Sequence, residues 1–87
     1  MREQTLTITN KIGLHARPAT LLVKTAAAFK SDIALVKGDK SVNAKSMLAV
    51  MSAGVKAGDT VIVRVSGEDE EQALETVTAL IKSGFNE

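Results

Sequence analysis

Ile33-Ala34-Leu35-Val36-Lys37-Gly38-Asp39-Lys40-Ser41-Val42-Asn43-Ala44 decides the architecture. Ile33 and Leu35 alternate with Ala34 and Val36, the period of a strand with two distinct faces. Lys37-Gly38-Asp39-Lys40 then carries the glycine and aspartate of a hairpin turn, and Ser41–Ala44 returns as a short strand centred on Val42. A strand this brief suits a sheet edge. Immediately beyond it, Ser46 precedes Met47–Ala53 and Gly54 follows, which predicts a short helix with a serine N-cap and a glycine stop. Val50 should point inward. Met47, Leu48 and Met51 lie close together on that helix and exceed what so short an element can bury, leaving an apolar patch of the kind that docks partners.

The flanking segments fit this hairpin and helix. Thr5-Leu6-Thr7-Ile8-Thr9 alternates strictly, so Leu6 and Ile8 should face the core from a first strand. Asn10–Gly13 breaks the pattern, and helix-favouring residues run from about Ala16 to Phe29 with Ala19, Leu22, Ala26 and Phe29 on one face. Leu21 and Val23 widen the apolar surface of this helix. After a turn at Ala57-Gly58-Asp59, Thr60–Ser66 places Val61, Val63 and Val65 on one side, and Ile62 on the other marks a central strand. Glu68-Asp69-Glu70-Glu71 opens a last helix whose Ala73, Leu74, Val77, Leu80 and Ile81 recur at helical spacing, with Lys82 and Gly84 closing it. Acid in the first turn and lysine in the last match the helix dipole, so the acidic run reads as scaffold and not as a metal site.

The order β-α-β-β-α-β-α predicts an α+β fold: an open-faced β-sandwich in which a four-stranded antiparallel sheet is covered on one face by three helices. With 87 residues, 45% of them apolar, one domain spanning 1–87 is expected. No apolar run approaches the roughly 20 residues of a membrane span, and Met1-Arg2-Glu3-Gln4-Thr5 lacks a signal-peptide core, which suggests a cytoplasmic protein without membrane insertion.

Composition excludes much chemistry. There is no cysteine and a single histidine, so thiol catalysis, disulfide frameworks and histidine-rich metal sites have no ligands; neither metal nor cofactor is expected. No serine lies in a Gly-x-Ser-x-Gly setting, and no phosphate-binding loop of the Gly-x-x-x-x-Gly-Lys-Ser/Thr type occurs. Phe29 and Phe85 are the only aromatics and neither forms a base-stacking platform, so no nucleic-acid role is expected. Net charge is +1, yet Asn10–Thr60 holds eight basic residues against three acidic, a balance of +5, and Glu68–Glu87 holds six acidic against Lys82, a balance of −5. Such polarity steers charged partners.

What remains is Gly13-Leu14-His15-Ala16-Arg17-Pro18-Ala19, which gathers the only histidine, the only proline and an arginine at a predicted helix start. Gly13 permits a tight or left-handed turn, and Pro18 suits a first helical turn. Neither Ala16 nor Arg17 is a good N-cap, so the first amides are open to an external anion. Nucleophilic attack on phosphorus needs a neutral imidazole, and both Arg17 and the positive helix end disfavour protonation of His15. Afterwards the Arg17 fork can contact the phosphoryl oxygens. With no nucleotide site in the chain, the phosphate would come from another protein.

Gly13–Ala19, together with Lys45-Ser46-Met47-Leu48-Ala49-Val50-Met51-Ser52 followed by Gly54, resembles the HPr family of histidine-containing phosphocarriers of the bacterial phosphoenolpyruvate-dependent sugar phosphotransferase system. The resemblance covers nearly the whole chain. It implies a carrier and not a stand-alone enzyme: Enzyme I passes its phosphoryl group to Nδ1 of His15, assisted by Arg17 and the Ala16 backbone N–H, and sugar-specific IIA domains take it. It further implies a docking surface on the first and short helices, formed by Thr20, Leu21, Val23, Lys24, Lys45, Met47, Leu48 and Met51. In some members the serine matching Ser46 is phosphorylated by HPr kinase/phosphorylase, and the product acts with a catabolite-control transcription regulator. That implies an alternative role, a mainly regulatory binding module. Ile12 stands where many relatives are polar. A related regulatory paralogue has lost the histidine, which His15 retains.

Overall fold

β-Branched residues dominate Thr60–Ser66, and the strand period sets Val61, Val63 and Val65 inward, all buried, with Ile62 and Arg64 half-buried on the opposite face. The computed structural model describes residues 1–9, 13 and 16–85. In chain order the elements are β1 (Arg2–Thr7), α1 (Ala16–Ala27), β2 (Asp32–Lys37), β3 (Lys40–Asn43), α2 (Met47–Ser52), β4 (Thr60–Ser66) and α3 (Glu70–Lys82). The strands form one sheet in the order β1-β4-β2-β3, every neighbour antiparallel, so β4 is central and β3 lies at an edge as its length suggests.

Register explains the core. Leu6 pairs with Val61, and Ile33 and Leu35 pair with Val65 and Val63, which gathers one apolar sheet face. Three helices cover it: α3 packs on β1 and β4, α2 on β3, and α1 on α2 and α3. Leu22 of α1, Val50 of α2 and Val77 of α3 are completely buried between the layers, each worth about 1.5–3 kcal/mol of transfer free energy before entropy is set against it. The opposite face carries the Glu3–Arg64 pair at 2.9 Å. This is the open-faced α+β sandwich expected from the element order.

Boundaries differ where tertiary contacts override local pattern. β1 begins at Arg2 because β4 is long enough to pair with Arg2, Glu3 and Gln4, polar residues without a strand signature. Ile8 leaves the ladder yet stays buried, its N–H donating to Asp59 O and its carbonyl accepting from Gly58 N, both at 2.9 Å. Helix α1 stops at Ala27, not Phe29. Beyond Ser83, Phe85 takes φ of 58° and sinks into the core as one of its largest buried side chains.

The acidic run does scaffold work of an unforeseen kind. Helix α3 begins at Glu70, and the Asp69 carboxylate, instead of capping it, accepts from Lys30 N (2.9 Å), Ser31 N (2.9 Å) and Ser31 Oγ (2.5 Å). These bonds, the Ser31 hydroxyl foremost, hold the Asp69 pKa down to about 2. Gly67 allows the approach, since a Cβ there would lie 2.7 Å from Ser31 Cα and Oγ.

Candidate functional site

Helix α1 begins at Ala16, so Arg17 and Pro18 occupy its first turn, where proline removes no intrahelical bond. Ala16 and Arg17 are exposed; Pro18 and Ala19 are buried. No acidic side chain lies in that turn, so the positive end of the dipole faces no carboxylate from the turn itself. Leu14 and His15 lie outside the described residues, as does Ile12.

Gly13 has φ of +79°, and a Cβ at this position would lie 2.7 Å from both Val55 O and Lys56 Cα. A glycine is therefore required twice, by its backbone conformation and by close approach to the connection between α2 and β4. Sequence indicates only the first reason. That connection is itself pinned: Lys37 Nζ donates to Gly54 O at 2.7 Å and pairs with Asp59 Oδ2 at 2.9 Å, while Asp59 Oδ2 also accepts from Lys56 N at 2.8 Å. The Lys37 ammonium, followed by the Lys56 amide, holds the Asp59 carboxyl below its usual range. Nothing in the local pattern signals this brace.

Helix α2 starts as its sequence predicts. Ser46 is extended (φ −106°, ψ 114°), and its Oγ accepts from Ala49 N at 3.3 Å. Val50 faces inward, whereas Leu48 is 81% and Met51 42% exposed. Met47 is half-buried and its sulfur stands 4.0 Å from Thr20 Oγ1, joining α2 to α1. The Thr20 hydroxyl proton goes to Ala16 O at 2.7 Å, so the sulfur contact is one of packing. Leu21 and Val23 are half-buried against the core, and Lys24 is exposed. Lys45 Nζ donates to Phe29 O at 2.7 Å, which commits its charge to the chain just past the end of α1. The helix start at Arg17 and the apolar exposure of α2 thus lie on adjoining helices.

The family model for the PTS HPr component phosphorylation site matches residues 2–83. The phosphocarrier protein HPr of Xylella fastidiosa is 42% identical over 87 residues, 100% of this chain and 98% of the relative. The crystal structure of HPr from Thermoanaerobacter tengcongensis matches with a TM-score of 0.97 at 49% identity, covering 100% of this chain and 98% of that one. Crh of Bacillus subtilis, described as a swapped dimer, matches with a TM-score of 0.78 at 43% identity and 97% coverage of both chains. Agreement over the full length in both sequence and strand order means that the chain belongs to the HPr family, the phosphocarriers of the phosphotransferase system.

Proposed function

We propose that residues 1–87 act as one HPr-like domain in which His15 accepts a phosphoryl group from phospho-Enzyme I and delivers it to IIA domains of sugar permeases in the cytoplasm. The observation that carries this reading is the first turn of α1, with Arg17 exposed and no acidic residue in the turn itself, beside the exposed Leu48 and Met51 of α2. Nδ1 of a neutral His15 attacks phosphorus, the N–P bond to the donor breaks, and an N–P bond to His15 forms. Arg17 and the Ala16 amide offset the phosphoryl charge. Thr20, Leu21, Val23, Lys24, Lys45, Met47, Leu48 and Met51 dock the partner, the apolar members supplying most of the buried area. Nothing is turned over by the chain alone, so it is a carrier and not an enzyme. Incubation with phosphoenolpyruvate and Enzyme I should give an acid-labile, base-stable adduct that is absent in His15→Ala; an adduct that survives this substitution refutes the assignment.

Ser46 supports a second, compatible role. Its hydroxyl sits at the start of α2 next to Leu48, so a phosphate there would be accommodated by the helix start and would place negative charge on the docking surface. HPr kinase/phosphorylase would add it from ATP, weakening Enzyme I binding and favouring a catabolite-control regulator. Label from ATP that persists in Ser46→Ala overturns this site.

A further inference from the structure

We propose that Lys37 and Asp59 are positioning residues for phosphoryl transfer: their ion pair fixes the 54–59 connection on which Gly13, two residues before His15, is seated. The inference rests on the phosphocarrier reading. The connection touches the chain on both sides of the stretch between β1 and α1. On the β1 side, Ile8 exchanges two backbone hydrogen bonds with Gly58 and Asp59. On the α1 side, Gly13 lies so close to Val55 and Lys56 that no Cβ fits. Residues 54–59 therefore seat both Ile8 and Gly13.

That seat turns at two glycines. Gly54 and Gly58 both take positive φ, +68° and +88°, with open space around them, so local sterics do not hold their conformation. The Lys37 ammonium closes the connection at both ends at once, bonding Gly54 O at 2.7 Å and Asp59 Oδ2 at 2.9 Å from the end of β2. Asp59 spans it internally by accepting from Lys56 N, the residue against which Gly13 rests. Removing the ammonium frees Gly54 O and leaves the turn to Asp59, its backbone bond to Lys56 O and the two bonds to Ile8. A displacement of ~1 Å in a reacting group costs up to ~100-fold in rate, so a fraction of that shift should be plainly measurable. The exposed apolar residues of α2 take no part in the brace, so partner affinity should be spared.

The test uses the full chain as the varied substrate of phosphoenolpyruvate-charged Enzyme I. Lys37→Met and Asp59→Asn should each lower kcat about tenfold while KM stays within about twofold, and Lys37→Arg should restore most of the rate. Arg64→Met, which breaks an ion pair of equal length on the uncovered sheet face, controls for loss of a surface bridge and should leave kcat unchanged. Amide exchange at Ile8 and Gly58 should accelerate in Lys37→Met and not in Arg64→Met. An unphosphorylated wild type overturns the carrier reading and this inference together. A phosphorylated wild type with Lys37→Met equal to it, no slower than Arg64→Met, or altered only in KM overturns this inference alone.

Discussion

Replacing Gly13 by alanine should separate two costs that a single glycine conceals. At Gly54, φ is +68° and a Cβ would meet nothing within 4 Å, so Gly54→Ala incurs only the left-handed backbone penalty, about 1 kcal/mol. Gly13 has a similar φ, +79°, but its Cβ would stand 2.7 Å from Val55 O and Lys56 Cα. Ordinary carbon contacts lie near ~3.5 Å, so about 0.8 Å of movement is needed. The 54–59 connection resists that movement through Ile8 and Lys37. Overpacking adds roughly 1–3 kcal/mol, which puts Gly13→Ala at about 3 kcal/mol in all. For a domain of this size that is a loss of ~15 °C in Tm, against ~5 °C for Gly54→Ala. Urea unfolding followed by circular dichroism would measure both variants, with unchanged m-values confirming the same two states. Equal destabilisation of the two within about 0.5 kcal/mol would refute the steric seat assigned to Gly13.

Leu22 is completely buried and Leu48 is 81% exposed, so Leu22→Ala should lose about 2–5 kcal/mol of stability and Leu48→Ala less than about 0.5. In titrations with Enzyme I, Leu48→Ala should nonetheless bind more weakly; wild-type affinity would remove Leu48 from the docking surface. Ser46→Ala should cost about 1 kcal/mol through the lost cap, whereas Ser46→Asp should keep the fold's stability and weaken Enzyme I binding through charge, a separation that urea midpoints and calorimetry would show. Asp69 has its pKa lowered from the usual 3.8 to about 2, so its contribution is present above pH 4 and disappears as pH falls through 2. Asp69→Ala should therefore be less stable at pH 7 and lose less on acidification to pH 2, with the remaining fall owed in part to Asp59 and Glu70, whose pKa values are also lowered; parallel curves for variant and wild type would contradict this.

Features set by short-range spacing were legible in the chain. The valine alternation of β4, the Ser46 cap of α2 and the inward Val50 depend on residues within a turn or a strand period, and all three stand in the structure as their patterns indicate. Counting apolar residues on the six-residue helix α2 also identified the surplus that leaves Leu48 and Met51 exposed. Features set by contacts between distant residues were not legible. Asp69 looks like an N-terminal helix acid, and only the fold brings Ser31 to its carboxylate. Lys45 reads as a free surface cation, yet its ammonium serves the Phe29 carbonyl sixteen residues earlier. Gly13 announces a turn, but the reason no side chain fits lies more than forty residues downstream, at Val55 and Lys56. Phe85 follows a helix-stopping glycine and is buried by a left-handed turn that no periodicity forecasts. At the candidate site, residue chemistry pointed to His15 and Arg17, while the close approach of Gly13 to Val55 and Lys56 emerged only from tertiary packing.

Phosphorus and nitrogen NMR of the protein after reaction with phosphoenolpyruvate and Enzyme I addresses the carrier role most directly. One phosphoryl group per chain bonded to Nδ1 of His15, lost to an added IIA domain, is the predicted result. Phosphorus on another residue, or a phosphohistidine that no IIA domain discharges, would contradict it.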